Sequence, residues 1–297
     1  MKVYLTPPSH LSKGIHRVAD ALKLYAPADI QVVDTLPEAD LRVIHTIGWA
    51  GMGEAMAACP DYAIFQYCVA STEDGNLRHW AQDVWQEAKL VASYYPLQEE
   101  LHQVGLKGLA DLCRFYLTPL GVDTAIFKPR PIPTHAGYLV GTSGYVAETE
   151  CIREWAEVCY QQQAQQFHLG PSFGWGDAVY RVPGWSGLTD TALAMEWSDC
   201  QFVSGLRRTE GFELPAAEGL CCGARPVLFD RPHHRRWFED RAIYIQETDY
   251  ADVVRQLREV VTDPYPIVMS EEIAWAAERF SWERMAAGFW QRLVEEV

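Results

Sequence analysis

The sequence predicts an α/β protein of two domains, each a parallel sheet flanked by helices. Three observations carry this. Short apolar runs of strand length alternate with helix-patterned segments along the chain, the signature of successive βα units. The length of 297 residues suits two domains of about 130 to 160 residues better than one. Lys128-Pro-Arg-Pro-Ile-Pro133 puts three prolines within six residues, which stiffens the connection and blocks regular structure.

The elements follow in order. Val3–Leu5 reads as a first strand. A loop with Ser12, Lys13 and Gly14 leads into an amphipathic helix through Val18, Leu22 and Leu24. Ile30–Val33, Leu41–His45 and Ala63–Cys68 are further strands. Leu77–Glu87 reads as a helix, Leu90–Ser93 as a strand, Leu97–Val104 as a helix and Phe115–Leu117 as a strand. After the prolines the pattern restarts, with a strand at Gly137–Val140, a helix at Glu148–Gln162 and a strand at Gln165–Leu169. A Gly/Trp-rich loop spans Gly170–Trp185. Helix Thr189–Trp197, strand Cys200–Val203, helix Leu214–Cys221 and strand Pro226–Phe229 come next, and Ser270–Val297 is mostly helical. The expected boundaries are 1–130, 131–280 and a terminal helix at 281–297. Ligands of such sheets sit at the carboxyl ends of the strands, here in a cleft between two domains.

Charge and composition narrow the partners. The net charge of −15 opposes broad contact with nucleic acid or an anionic membrane. One local exception is Arg231, His233, His234, Arg235 and Arg236, read either as a solvated loop or as a contact for a phosphate-bearing substrate. No run approaches the roughly 18 apolar residues of a membrane span, and the start, MKVYLTPPSH, reads as a strand and loop without a secretory core. The eight cysteines form no Cys-x-x-Cys pair and suit packing in a reducing compartment. Cytoplasmic residence is the expectation. There is no Asp-x-Asp, so neither a metal nor another cofactor is expected.

The informative segment is Arg207-Arg-Thr-Glu-Gly-Phe-Glu-Leu-Pro-Ala-Ala-Glu-Gly-Leu-Cys-Cys-Gly-Ala-Arg-Pro-Val227. A strand ends near Ser204, a loop holds Glu210 and Gly211, and Pro215 sits where a helix begins, a favoured first-turn position. A helix N-terminus presents free N–H groups and a positive dipole end to anions. Two carboxylates beside it, Glu210 and Glu218, accept hydrogen bonds from hydroxyls. Phosphates plus hydroxyls describe a nucleotide sugar.

This string resembles the retaining GT-B glycosyltransferases of the family-4-like kind (glycosyl transferases group 1), whose hallmark is two glutamates separated by seven residues. Glu210 and Glu218 have that spacing. Glu-Gly-Phe-x-Leu-Pro and Cys-Gly-x-x-Pro-Val match around them. Elsewhere, Gly121–Pro129 resembles the segment closing the family's first domain. Leu188-Thr-Asp190 resembles the lead into the motif. Phe280-Ser-Trp-Glu283 resembles the signature before a last helix that crosses back to the first domain.

The resemblance implies a GT-B fold of two Rossmann-like domains and a nucleotide-sugar donor, UDP- or GDP-linked. It assigns Glu210 to sugar hydroxyls near the reacting carbon and Glu218 to the ribose. It assigns Phe212, Glu213 and Leu214 to sugar and phosphate through their backbone. Gly14 matches the N-terminal glycine loop, and His45 matches the histidine facing the donor sugar.

Two departures stand out. Glu213 replaces a usual glycine. Gly141-Thr-Ser-Gly-Tyr-Val-Ala-Glu-Thr-Glu150 lacks the arginine and lysine that clamp the diphosphate. Either Arg207 and Arg208 substitute, or backbone N–H groups carry the phosphates, or activity is lost.

The expected function is transfer of a hexose to a hydroxyl of a small molecule or glycan. One alternative is a phage-type enzyme glycosylating 5-hydroxymethylcytosine in DNA, with Trp80 and Trp237 as candidates for stacking on an extruded base. The other is an inactive binding protein of the same shape.

Overall fold

The computed structural model describes residues 1–6, 13–46, 52–59, 61–67, 74–130, 137–175, 180–208, 212–262 and 267–297. Chain contacts divide into two compact units. The first is Met1–Gly121 with Trp282–Val297, and the second is Val122–Ser281.

The first unit runs β1 (Lys2–Leu5), α1 (Lys13–Leu24), β2 (Gln31–Val33), β3 (Leu41–Thr46), α2 (Met52–Ala58) and β4 (Tyr62–Gln66). It continues with α3 (Asp74–Trp80), β5 (Val91–Ser93), α4 (Leu97–Gln103), α5 (Lys107–Ala110) and β6 (Phe115–Leu117). Among the described residues these strands form one sheet in the order β2-β1-β3-β4-β5-β6, parallel throughout. Strands β3 and β4 are apolar on both faces, as a doubly covered parallel sheet requires. Leu41, Val43, Ile44, Ala63, Ile64 and Phe65 are all buried. The expected helix over 77–87 starts earlier and changes hand-hold midway. α3 passes at Ala81 into a π-helical turn ending at Trp85. The wider turn lets Trp85 stack on Trp80 and donate its indole N–H to Gln66. α1 begins at Lys13, so Gly14 belongs to its first turn and not to the preceding loop; Ser12 lies outside the described residues.

The second unit runs β7 (Tyr138–Ser143), α6 (Ile152–Gln161), β8 (Gln166–Leu169), β9 (Phe173–Trp175), β10 (Tyr180–Val182), α7 (Asp190–Ser198) and β11 (Cys200–Gly205). Then come α8 (Leu214–Cys222), β12 (Arg225–Phe229), α9 (Pro232–Phe238), β13 (Ile243–Ile245), α10 (Tyr250–Thr262) and α11 (Ser270–Arg279). Its described strands form a parallel sheet in the order β13-β12-β11-β7-β8. The Gly/Trp-rich segment read as a loop contains an antiparallel β9–β10 ribbon. The expected helix at 148 begins only at Ile152, after a turn that leaves Cys151 at φ 50°. The basic stretch 231–236 is largely helical, forming α9.

Small residues let α8 approach the sheet. A Cβ on Gly219 would lie 2.5 Å from Val203. Gly223, at φ 97°, ends the helix in the left-handed conformation that an L side chain resists. The core on the other face gathers Val140, Trp155, Phe202, Val227, Phe229 and Leu257.

The chain ends in α12 (Trp282–Glu296), which clusters with the first unit. Trp290 is buried there and donates its indole N–H to Leu22 O at 3.0 Å. Phe289 packs against Phe65 of β4.

Candidate functional site

Numbered from its own first strand, each sheet has the order second, first, third, fourth, fifth, with β6 extending the first sheet. Such doubly wound sheets reverse between their first and third strands, and ligands bind at the carboxyl ends beside that point. In the second unit those ends are Ser143 of β7 and Gly205 of β11.

Three segments meet there. Arg208 N–H donates to Thr149 O at 2.9 Å, which ties the chain leaving β11 to the loop leaving β7. Arg207 Nη2 donates to Ser143 Oγ at 3.0 Å and to Ser143 O at 3.3 Å. Its Nε lies 3.5 Å from Glu150 Oε1 and 3.7 Å from Glu213 Oε2. Glu150 Oε2 accepts the Val146 N–H at 2.7 Å. The Glu150 carboxylate fits only because Gly144, at φ 147°, has no side chain: a Cβ there would lie 1.9 Å from Glu150 Oε2.

Helix α8 starts at this place. Glu213 is its N-cap residue, with no side-chain cap bond to the first turn and proline in the first positions. The N–H groups of that turn therefore have no side-chain acceptor at the cap, and with the helix dipole they favour an anion. Phe212 anchors the entry. Its buried ring stacks on Phe238 and meets Trp237 and Phe280 edge-on, so the backbone of Phe212, Glu213 and Leu214 is held in place. Glu213 is fully buried. Glu218 is also buried, and its Oε2 accepts the Trp197 indole N–H at 3.2 Å, joining α8 to α7. Thr209, Glu210 and Gly211 lie outside the described residues.

The remaining cations are engaged by neighbours. Arg208 donates to Thr248 O and faces Glu247 at 3.6 Å. Arg231 donates to the same Glu247 at 2.6 Å and to Arg208 O. Both guanidinium groups lie 5.5 Å from the Phe229 ring centroid. Arg235 pairs with Asp230 and holds that carboxyl below its usual range. His233 and His234 are buried, and burial lowers the His234 pKa to about 3. Arg236 is exposed. Under the Arg207 site, His168 of β8 is buried, its Nδ1 3.0 Å from Thr142 Oγ1, and burial lowers its pKa to about 4. Trp80 and Trp237 are both buried, packed on Trp85 and Phe212.

In the first unit the reversal falls between β1 and β3. His45 is the next-to-last residue of β3, 7% exposed. Its Nδ1 lies 2.7 Å from Tyr67 Oη. Burial, then the charge of His16, lowers its pKa to about 3. Gly14 lies in the first turn of α1, the helix that follows β1. Among the described residues no group of three or more His, Cys, Asp or Glu is placed to hold a metal ion, and no helix is long and apolar enough to cross a membrane.

Sequence reading passes over Glu150 and Ser143 beside Arg207 in the second unit, and Tyr67 beside His45 in the first. Glu150 carries the one available signal: it closes the 141–150 segment in which basic residues are missing.

Two parallel Rossmann-like sheets of this order define the GT-B fold of glycosyltransferases. The chain is similar to Anabaena HepE in complex with UDP and glucose, at a TM-score of 0.74 and 14% identity over 99% of both chains. It is similar to sucrose-phosphate synthase from Thermosynechococcus elongatus, at 0.69 and 14% over 99% of this chain and 98% of that one. It is similar to the apo form of the lipopolysaccharide outer core galactosyltransferase WaaB, at 0.63 and 11% over 100% of both. At these identities the likeness is one of fold. No protein-family model and no curated protein matches the sequence.

Proposed function

We propose that this chain is a retaining, metal-independent glycosyltransferase that moves a hexose from a UDP- or GDP-sugar to a hydroxyl of a small molecule or glycan. The observation that carries the reading is the α8 N-terminus at the carboxyl end of β11, which falls within the Glu210-to-Glu218 string. The common fold with HepE, solved with UDP and glucose, supports it.

In this mechanism the nucleoside diphosphate gains negative charge as the glycosidic bond breaks. The helix N-terminus and Arg207 stabilise that charge. The acceptor attacks from the face the phosphate leaves, and a departing phosphate oxygen takes the acceptor proton. Glu210 holds sugar hydroxyls, Glu218 the ribose, and the pinned backbone of Phe212 to Leu214 holds sugar and phosphate. The resemblance assigns His45 and Gly14 to the donor as well.

The test is a donor and acceptor screen read by product mass. UDP- and GDP-hexoses are offered with sugars, glycans, small alcohols and duplex DNA containing 5-hydroxymethylcytosine. A hexosylated sugar or alcohol, absent with Glu210→Gln, supports the reading. A hexosylated nucleoside, lost when Arg235 and Arg236 are replaced, moves the acceptor to DNA.

A second reading, a nucleotide-sugar-binding protein without transfer, draws on one observation: Arg207 and Arg208 already face Glu150, Glu213 and Glu247. It predicts saturable donor binding by calorimetry with neither transfer nor hydrolysis. Absence of both binding and turnover overturns both readings.

A further inference from the structure

The His45–Tyr67 pair allows the protons to be placed by accounting for donors and acceptors. Tyr67 follows β4, and its ring stacks on Phe65 and His45 and tilts against Tyr94. It is 2% exposed. Burial raises its pKa well above the usual value, so the phenol keeps its proton. The imidazole is neutral for the same reason and carries one proton on one of its two nitrogens. One hydrogen therefore lies between Tyr67 Oη and His45 Nδ1.

If Nδ1–H donated, the phenol O–H would need an acceptor of its own, and among the described residues Tyr67 Oη has no other partner. A buried hydroxyl hydrogen and a bare Nε2 would then both go unpaired. If the phenol donates to Nδ1, the pair is satisfied and only Nε2–H stays open. Nε2 is the atom without a partner within the unit. A buried donor left unpaired costs free energy, so the second arrangement is the stable one, and it leaves one N–H ready for an incoming oxygen.

We infer that Tyr67 is a positioning residue that holds His45 as its Nε2–H tautomer, so that the imidazole presents a hydrogen-bond donor and not a base at the carboxyl end of β3. Resting on the transferase reading, the oxygen it meets is a hydroxyl of the transferred sugar; the tautomer itself does not depend on that reading. To act as a base, the imidazole would have to carry its one proton on Nδ1 and leave Nε2 bare, which turns the phenol hydrogen out of the pair with no acceptor. His45 therefore fixes the sugar and takes no proton from the acceptor.

The first test needs no substrate. Long-range nitrogen–proton correlation spectra of the full chain, with histidine nitrogens labelled and His45 identified from a His45→Gln sample, report which nitrogen is protonated. The expected pattern is a protonated Nε2 with Nδ1 accepting. In Tyr67→Phe, which keeps the ring, Nδ1 should lose the signature of a hydrogen-bonded acceptor. A protonated Nδ1 in the wild type, or an unchanged spectrum in Tyr67→Phe, overturns the inference. The second test uses turnover of whichever donor proves productive. His45→Gln, which places an N–H near Nε2, should retain transfer within about tenfold, one hydrogen bond's worth. His45→Glu should lose far more. Retention by Glu and loss by Gln would make His45 a base. No turnover at all with an intact Nε2–H tautomer would sink the transferase reading and leave the tautomer standing.

Discussion

The Arg207 guanidinium faces the fully buried carboxylate of Glu213 across 3.7 Å. Gly205 makes the pair possible, because a Cβ there would lie 2.8 Å from Glu213 Cγ. Where the family resemblance expects glycine, this chain thus carries a buried acid and a cation to meet it. Removing one partner of a buried pair strands the other, whereas removing both does not. Arg207→Ala should therefore cost about 3 kcal/mol of stability, and Arg207→Ala with Glu213→Gly should recover more than half of that loss. Urea unfolding of the two singles and the double closes the cycle. Additive losses would mean that the two groups are not coupled.

Glu150 bears on the phosphate question. Its carboxylate takes the Val146 N–H and faces Arg207, so it holds an anion's place at the carboxyl end of β7. A diphosphate arriving beside Arg207 meets that negative charge. Glu150→Gln keeps the shape and removes the charge, and UDP affinity should rise about tenfold. Binding of uridine should not change. Calorimetry with both ligands checks this. Equal gains for the nucleoside would place the effect away from the phosphates.

Glu210 and Glu218 should fail differently. On the proposed assignment Glu210 holds sugar hydroxyls near the reacting carbon, so Glu210→Gln should lower kcat by at least about a hundredfold, the scale of a lost contact to developing charge. Glu218→Gln keeps an acceptor for the Trp197 indole N–H and so keeps α8 on α7. It should mainly raise the donor KM, since the ribose is remote from bond breaking. Steady-state kinetics with a productive donor decides. Wild-type constants in both variants would remove the assignment.

The α/β class and most strands are legible because alternation and apolar runs survive in any parallel sheet. Phe115–Leu117 and the helix at Leu214 sit where the pattern puts them. The motif is legible as a string of residue types at fixed offsets. Other features need coordinates. The pairing of His45 with Tyr67 depends on strands β3 and β4 lying side by side, with His45 opposite Phe65, and nothing in the spacing 45 to 67 encodes that. The helix at 250–262 shows buried Val253, Val254, Leu257 and Val260 at helical spacing, a signal available in the sequence but carrying no chemistry. In the basic run 231–236 the structure sets Glu247 beside Arg231, sixteen residues away in sequence, and Asp230 beside Arg235. Local charge density says nothing about partners distant in sequence.

The buried histidines set a pH dependence whose sign can be worked out. Burial lowers the pKa to about 3 in His45, about 4 in His168 and about 3 in His234, against about 6.5 in the unfolded chain. The unfolded state therefore binds more protons than the native state at mildly acidic pH, and stability falls as pH falls. The contribution is complete above about pH 6.5 and is lost progressively as the pH drops toward the folded-state values. Between pH 7 and pH 5 each histidine removes about 2 kcal/mol, because only the unfolded form titrates in that window. Urea unfolding at the two pH values should show the drop, and His45→Gln should lessen it by about 2 kcal/mol, one histidine's share. The quantity that isolates His45 is the difference between variant and wild type at each pH. A variant whose stability falls as steeply as the wild type's would mean that His45 titrates normally in the fold, which its burial and its bond to Tyr67 both argue against.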